Sequence, residues 1–436
     1  MSARPKGIAF VLLLSGLVLV RPAGGVEPGS PLKLDLDKCV QMAVEGNTSV
    51  LKAEYGLDLY RNGVISSASN LLPSARWRSS SSRSKSATPR LVDGQFVSGS
   101  KSYSSSFSVD EGLSAASIMG VFESLANRNA AEQDVRAMRQ DVSYNAKKTY
   151  LEVLKAKRLL SVKEETFSRS KKRLERAQAM LDVGSGVRSD VLRAQVEMSS
   201  NELDLITQRN NLRLAETALK SFLRIPDDQA IELDDILEAG EATYELEAAL
   251  ADAMEMRPDI KAGMQTVRAG KSGVWKERGG WIPTLSYGWA RDYMGSGFPE
   301  RALDIWDEAG WKWGLGLSVN LFDGFGTFSR VRMAKAQLRS ANEDLNQMKR
   351  DAALEVKQAF YNVEEARQRV KVSAETVSLA QEELRLAEER YRLGGGTMLE
   401  QIDAQVALSE AETSNIQALY DYLLSQAALV KAMGKD

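Results

Sequence analysis

The chain has 436 residues, 43% hydrophobic and 27% charged, the composition of an ordered protein long enough to bury a core. Its formal charge of −2, with basic and acidic residues interleaved, offers no net attraction to nucleic acid. Histidine is absent and cysteine occurs once, so the commonest general base and any Cys/His metal set are missing; with no nucleotide-binding Gly-x-x-x-x-Gly-Lys loop either, neither enzyme chemistry nor a cofactor is expected.

Residues 1–25 have the form of a secretory signal peptide: Arg4 and Lys6 precede an apolar run from Gly7 to Val20, and the small residues Ala23, Gly24 and Gly25 follow. The run of about 14 residues is shorter than the roughly 20 that a membrane-spanning helix needs, so export rather than anchoring is expected. Cys39 lies inside an expected helix from Leu34 to Gly46 and reads as a small buried hydrophobe. No later segment stays apolar for about 18 residues, so strands must make any membrane crossing.

Two strand-like stretches follow, at about 72–82 and 102–111. In the first, Ala75 and Trp77 alternate with Arg76 and Arg78; in the second, Tyr103, Phe107 and Val109 alternate with Ser102, Ser104, Ser106 and Ser108. A helical hairpin is expected over about 114–223, with its tip at 183–187. Val135, Met138, Val142, Ala146, Tyr150 and Val153 recur at an average of 3.6 residues, the period of a straight helix rather than the 3.5 of a tight coiled coil. No proline interrupts Val121 to Asp182, which at about 1.5 Å per residue makes a rod on the order of 90 Å long. A charged helix of that length belongs to a hairpin or a larger helical assembly. The acidic segment 227–245 reads as a joint.

Beyond the joint the design is written again. A shift of 210 residues brings Pro73 onto Pro283, Val109 onto Val319, Gly184 onto Gly394, and Ala194-Gln195-Val196 onto Ala404-Gln405-Val406. The chain therefore divides into repeats at 26–226 and 246–436. The second repeat has expected strands at about 282–292 and 311–322 and a hairpin over about 326–433 with its tip at 393–397. Trp311, Trp313, Leu315, Leu317, Val319 and Leu321 alternate with Lys312, Gly314, Gly316, Ser318 and Asn320, and Leu285, Tyr287 and Trp289 alternate with Ser286, Gly288 and Ala290. Each stretch is about as long as a tilted bilayer-crossing strand. All seven tryptophans fall in or beside the strands, as an aromatic girdle would require. Four strands cannot close a barrel in lipid, so copies must combine: dimers give eight strands and trimers twelve, and a trimer suits a tunnel because small barrels fill with side chains. The alternative is a soluble sheet packed on helices, in a periplasmic hairpin adaptor or structural protein.

The run from Trp313 to Gly324, ending Leu317-Ser318-Val319-Asn320-Leu321-Phe322-Asp323-Gly324, resembles the TolC-like outer-membrane efflux proteins. So do Arg390-Tyr391-Arg392-Leu393-Gly394, Tyr420-Asp421-Tyr422-Leu423 and the closing Ala432-Met433-Gly434, and the resemblance covers essentially the whole mature chain. It implies an α+β membrane protein: a homotrimer with a twelve-stranded β-barrel in the outer membrane and a periplasmic α-barrel of long hairpins. It also implies an export duct for small molecules or proteins, docked to an inner-membrane pump through a periplasmic adaptor.

By the same resemblance, the tips Val183-Gly184-Ser185 and Leu393-Gly394-Gly395 face the adaptor, although each is in any case a tight connection that glycine permits. Glu400 and Asp403 match positions that line the periplasmic constriction. They share a helix face, and threefold symmetry would make a ring of six carboxylates favouring cations. Thr397-x-x-Glu400 is equally a capping box. The matching positions in the first repeat are Asp190 and Arg193, which suggests a salt bridge between neighbouring hairpins, with Tyr391 a further hydrogen-bond partner. Where family members often carry a basic residue two positions after the tip glycine, this chain has Gly396.

Overall fold

The computed structural model describes residues 32–92, 95–235, 244–295, 306 and 309–435. The expected signal peptide and part of the acidic joint, residues 236–243, lie outside the described residues.

Local capping sets where the first elements begin. Asp35 accepts the Lys38 N–H at 2.6 Å to open α1 (Leu36–Gly46), and Asn47 accepts the Ser49 N–H at 2.8 Å to open α2 (Thr48–Ser69). The chain then forms β2 (Ser74–Val92) and β3 (Gln95–Leu113), and Ser114 caps α3 (Ala115–Asp182) by accepting the Ser117 N–H at 3.0 Å. The return helix is α4 (Arg188–Leu223). In the second repeat α5 (Leu246–Met256) and α6 (Pro258–Arg278) lead to β5 (Thr284–Gly295) and β6 (Gly310–Ser318), and then to α7 (Gly326–Arg392) and α8 (Met398–Ala432).

The two long helices, of 68 and 67 residues, are each about 100 Å long. Neither has a partner of its own length. Instead α3 packs on α2 towards the sheet and on α4 towards the tip, while α7 packs on α6 and then on α8. Close approach of α6 to α7 depends on Gly263, where an added Cβ would come within 3.1 Å of Leu345 and Met348. The periodic stripe on α3 is inward: Val135, Val142, Ala146, Tyr150 and Val153 are buried. On α7 Ala352, Val356 and Val363 are buried too, but Met348 is exposed, although its sulfur lies against Gly263 of α6.

The acidic joint holds an element that the sequence pattern does not announce. Ile231–Leu233 (β4) pairs in parallel with Leu32–Leu34 (β1), and the Tyr150 hydroxyl donates towards the carbonyls of both Leu34, at 3.2 Å, and Asp234, at 2.6 Å. Leu34, Cys39, Ala43, Val142, Tyr150, Leu219 and Leu233 share one core at mid-height of the rod. Burial there, reinforced by Asp35, pushes the Cys39 thiol up to about 12, so it is an inert packing group.

The four-stranded sheet has the order β2-β3-β5-β6, antiparallel throughout. Strand boundaries differ from the sequence expectation, most in β2, β3 and β6. β2 and β3 are each 19 residues long rather than about ten, because serine pairs sustain the ladder: Ser80 with Ser104 and Ser82 with Ser102, both at 2.8 Å. β6 stops at Ser318 rather than near 322, so Val319 and Leu321 lie beyond the strand. Asp323 forces this end: its carboxylate accepts the Thr327 N–H and hydroxyl, both at 2.6 Å, and Gly324 and Phe325 turn through positive φ of 64° and 66° into α7.

Register unites the four alternations on one face. Trp77, Phe107, Arg291 and Trp311 form one row, Ala75, Val109, Trp289 and Trp313 the next, and Glu111, Tyr287 and Leu315 the next, followed by Leu113, Leu285 and Leu317. The opposite face carries Arg76, Arg78, Ser102, Ser104, Ser106, Ser108, Asp110, Asp292, Lys312, Gly288, Gly314 and Gly316. Arg291 and Glu111 are the charged exceptions in these apolar rows, and the Arg291 guanidinium lies 5.1 Å from the Trp306 ring centroid.

Candidate functional site

The far end of the rod holds the tip residues. In the first hairpin α3 unwinds at Val183; Gly184 takes φ of +75°, and the N–H groups of Ser185 and Gly186 both donate to the Met180 carbonyl at 3.0 and 2.9 Å. The second tip repeats the geometry with Gly394 at φ +76° and the Gly395 N–H on the Arg390 carbonyl at 2.9 Å. These bonds satisfy the last carbonyls of each outgoing helix. Val183 and Leu393, 79% and 80% exposed, stand out from the two turns as apolar points. The sequence reading passed over Gly186 as a steric requirement: a Cβ there would lie within 3.0 Å of the Met180 and Leu181 backbone. Gly396 is the equivalent, with a Cβ at 3.1 Å from the Tyr391 nitrogen. The paired Gly-x-Gly spacing was the available signal.

Behind the turns the two hairpins meet in a small core of Ala177, Ala194 and Met398, with Leu174, Val191, Tyr391 and Ile402 packed against it. Tyr391, on the last turn of α7, is thereby lodged between hairpins, its hydroxyl 3.8 Å from the Met180 sulfur. Burial and then the nearby Asp190 carboxylate raise its pKa, so these two expected site residues are electrostatic neighbours. Glu400 is exposed and serves the helix start: Thr397 Oγ1 accepts its N–H at 3.2 Å, and its carboxylate lies 3.9 Å from Arg390. Asp403 is exposed one turn further on. Among the described residues neither Asp403 nor Arg193 has an ion-pair partner within the chain, so the salt bridge expected for Arg193 is not made between the hairpins of one copy.

Two features here lie outside the sequence expectations. A groove of about 480 Å³ between the hairpins, just above the tips, is lined by Arg173, Arg176, Arg385, Tyr391, Arg392 and Met398, among others. Arg173 and Glu197 form an ion pair at 2.5 Å with side chains only 5% and 9% exposed, linking α3 to α4. Among the described residues no cluster of metal-binding side chains occurs, and no helix is long and apolar enough to cross a membrane.

Comparison with known proteins gives a consistent result. The family model described as "Outer membrane efflux protein" matches residues 39–223 and 249–435, once in each repeat. The outer membrane efflux protein BepC of Brucella suis is 23% identical over 321 residues, covering 72% of this chain and 69% of that protein. The outer membrane protein TolC of Vibrio cholerae is 23% identical over 307 residues, 70% of each. Among solved structures, the outer-membrane channel OprN superposes with a TM-score of 0.80 at 19% identity, covering 92% of this chain and 90% of that one, which shows a shared fold.

Proposed function

The chain belongs to the outer membrane efflux protein family, and we propose that it works as a homotrimer, a passive duct through which a periplasmic adaptor and an inner-membrane pump export small molecules or proteins. The observation that carries this reading is a one-sided sheet of four strands with both edges open, running into two helices each about 100 Å long that double back as hairpins. A barrel in lipid tolerates no free edge, so β6 of one copy must meet β2 of the next. Apolar side chains on two helices call for the same cover. Leu192, Val196, Leu203, Ile206 and Leu214 of α4 are exposed, as are Leu354, Tyr361, Val372, Leu379 and Leu386 of α7. Three copies supply twelve strands, enough for an open lumen, whereas eight would fill with side chains. The family match speaks for this channel and not for the soluble adaptor. Cell fractionation tests the reading: the protein should remain with outer membranes through salt and alkali washes, and the purified trimer should conduct ions across a planar bilayer. A protein washed off as a soluble monomer would overturn it.

The constriction falls within the same proposal. Glu400 and Asp403 from three copies form the carboxylate ring, with Asp190, Arg193 and Tyr391 on the facing hairpin surfaces; the copy-to-copy contact gives Arg193 the carboxylate it lacks within one chain. A focused ring raises local counter-ion concentration about tenfold or more. Because the ring also helps to hold the entrance closed, Glu400→Ala with Asp403→Ala should raise single-channel conductance, and because it concentrates cations, its loss should weaken block by multivalent cations by about tenfold. Unchanged currents would remove both residues from the gate.

The tips are proposed as the adaptor contact, on the strength of the exposed Val183 and Leu393 and the groove above them, which is lined by both arginines and the glutamates Glu388 and Glu389. Valine at Gly184 and Gly394 would have open space for its side chain but a left-handed backbone to maintain, at about 1–2 kcal/mol per site. Gly184→Val with Gly394→Val should leave trimers in the outer membrane while export falls. Asparagine, which tolerates positive φ, should preserve more of it. Normal export by the valine variant would argue against docking at the turns.

A further inference from the structure

We propose that the phosphorylated headgroup of an outer-leaflet lipid binds to Arg83, Lys101 and Lys85 on the outward face of the β2–β3 ribbon. The proposal rests on the reading that the tryptophan-bearing face of the sheet meets lipid.

Strand geometry sets the height of these cations. On β3 the outward residues run from Leu113, beside the helices, through Glu111, Val109, Phe107 and Ser105 to Tyr103, where pairing with β5 ends at Gly295. Ten steps of about 3.4 Å, at a tilt of about 40°, rise roughly 26 Å, close to the roughly 25 Å of an outer-membrane apolar band. The next outward pair is Lys101 directly opposite Arg83, and Lys85 follows two residues along β2 on the same face. All three side chains are exposed. They stand where acyl chains give way to headgroups, on the side away from the periplasmic helices.

Like charges facing each other across an antiparallel pair lie about 5 Å apart at Cβ and repel. A phosphate between them turns that repulsion into two charge-assisted contacts, with Arg83 able to bind two oxygens at once. The floor beneath is rigid. Tyr103 is 2% exposed, its hydroxyl accepts from Ser79 at 2.9 Å, and its ring meets Tyr293 edge-on at a centroid distance of 6.0 Å. The Trp77 indole donates to Ser105 at 2.9 Å in the next row down. Below the cations the exposed apolar surface is that of Trp77, 69% exposed and held by this bond, so the face suits a molecule with phosphate above and hydrocarbon below. The ligand class is accordingly a lipid carrying a phosphate monoester rather than a zwitterionic phospholipid.

The test uses the full-length trimer extracted from outer membranes in mild detergent, with retained lipid counted by native mass spectrometry. Wild type should hold phosphorylated glycolipid, and Arg83→Ser with Lys101→Ser should lower its occupancy by about tenfold or more. Arg78→Ser, on the opposite face of β2, should not lower it. Millimolar inorganic phosphate should fail to displace the lipid; displacement would mean a phosphate site without lipid specificity and would overturn the proposal. Equal lipid retention by the double variant would also overturn it. So would a wild-type trimer without phosphorylated lipid whose stability falls in the double variant, a result assigning the cations a role in the protein's own packing. Outer-membrane fractionation of wild type gives an independent readout of the lipid-facing reading.

Discussion

Val109→Arg should nearly abolish accumulation of the trimer in the outer membrane, while Ser108→Arg, one residue away, should leave it close to wild type. Val109 occupies the middle of the apolar rows, paired with Ala75 on one side and Trp289 on the other; Ser108 points to the opposite face, where its hydroxyl donates to Asp110 at 2.9 Å. An arginine at the lipid midplane of a barrel costs about 2–4 kcal/mol per copy, and the trimer incurs it three times. The same side chain on the lumenal face stays in water. Propensity, volume and charge are identical in the two variants, so any difference isolates the environment of the face. Outer-membrane fractions compared by their heat-resistant trimer band provide the measurement. Equal levels, or the reverse order, would mean that the tryptophan-bearing face does not meet lipid. The membrane reading would then fail at its root.

The parts of this fold legible in the sequence are those governed by a long period. Spacing near 3.6 over Val135 to Val153 marks a helix without tertiary information, because every turn must bury the same stripe. Alternation over Trp311 to Leu317 marks a two-faced strand for the same reason. Short or contingent features are not legible. β1 and β4 are three residues each and exist only because Tyr150 and the surrounding core hold them together. The extra length of β2 and β3 comes from hydroxyl pairs such as Ser80 with Ser104, which a hydrophobicity pattern scores as nothing. The end of β6 is set by Asp323 binding forward to Thr327, a cap hidden inside what reads as continued alternation. At the tips, Gly184 and Gly394 can be found because the helical period breaks there. The proximity of Tyr391 to Asp190 depends on how two hairpins pack, and no spacing within either hairpin encodes that.

The buried pair of Arg173 and Glu197 yields the other large effect. One contact joins them, and the second polar atom of each side, Arg173 Nε and Glu197 Oε2, has no hydrogen-bond partner. Their desolvation is therefore poorly compensated, and each charge depends on the other. Removing one partner should cost about 3–5 kcal/mol, whereas replacing both with apolar residues of similar volume should be close to neutral or stabilising. Arg173→Met and Glu197→Leu should each lower the thermal midpoint of the detergent-solubilised trimer, followed by helical circular dichroism, and the double variant should recover most of the loss. If the double variant melts lower than either single, the pair is a net stabiliser and the desolvation argument is wrong. Its retention then has a reason other than strength. The positions matching Arg173 and Glu197 in the second repeat are Glu383 and Ala407, which cannot form the same bridge. Two hairpins built from one duplicated design carry similar apolar seams, and a helix could pair with the wrong partner at little loss of contact. A buried cation on α3 that is satisfied only by α4 makes that mispairing expensive. The double variant should therefore melt like wild type but refold from denaturant to native trimer in lower yield.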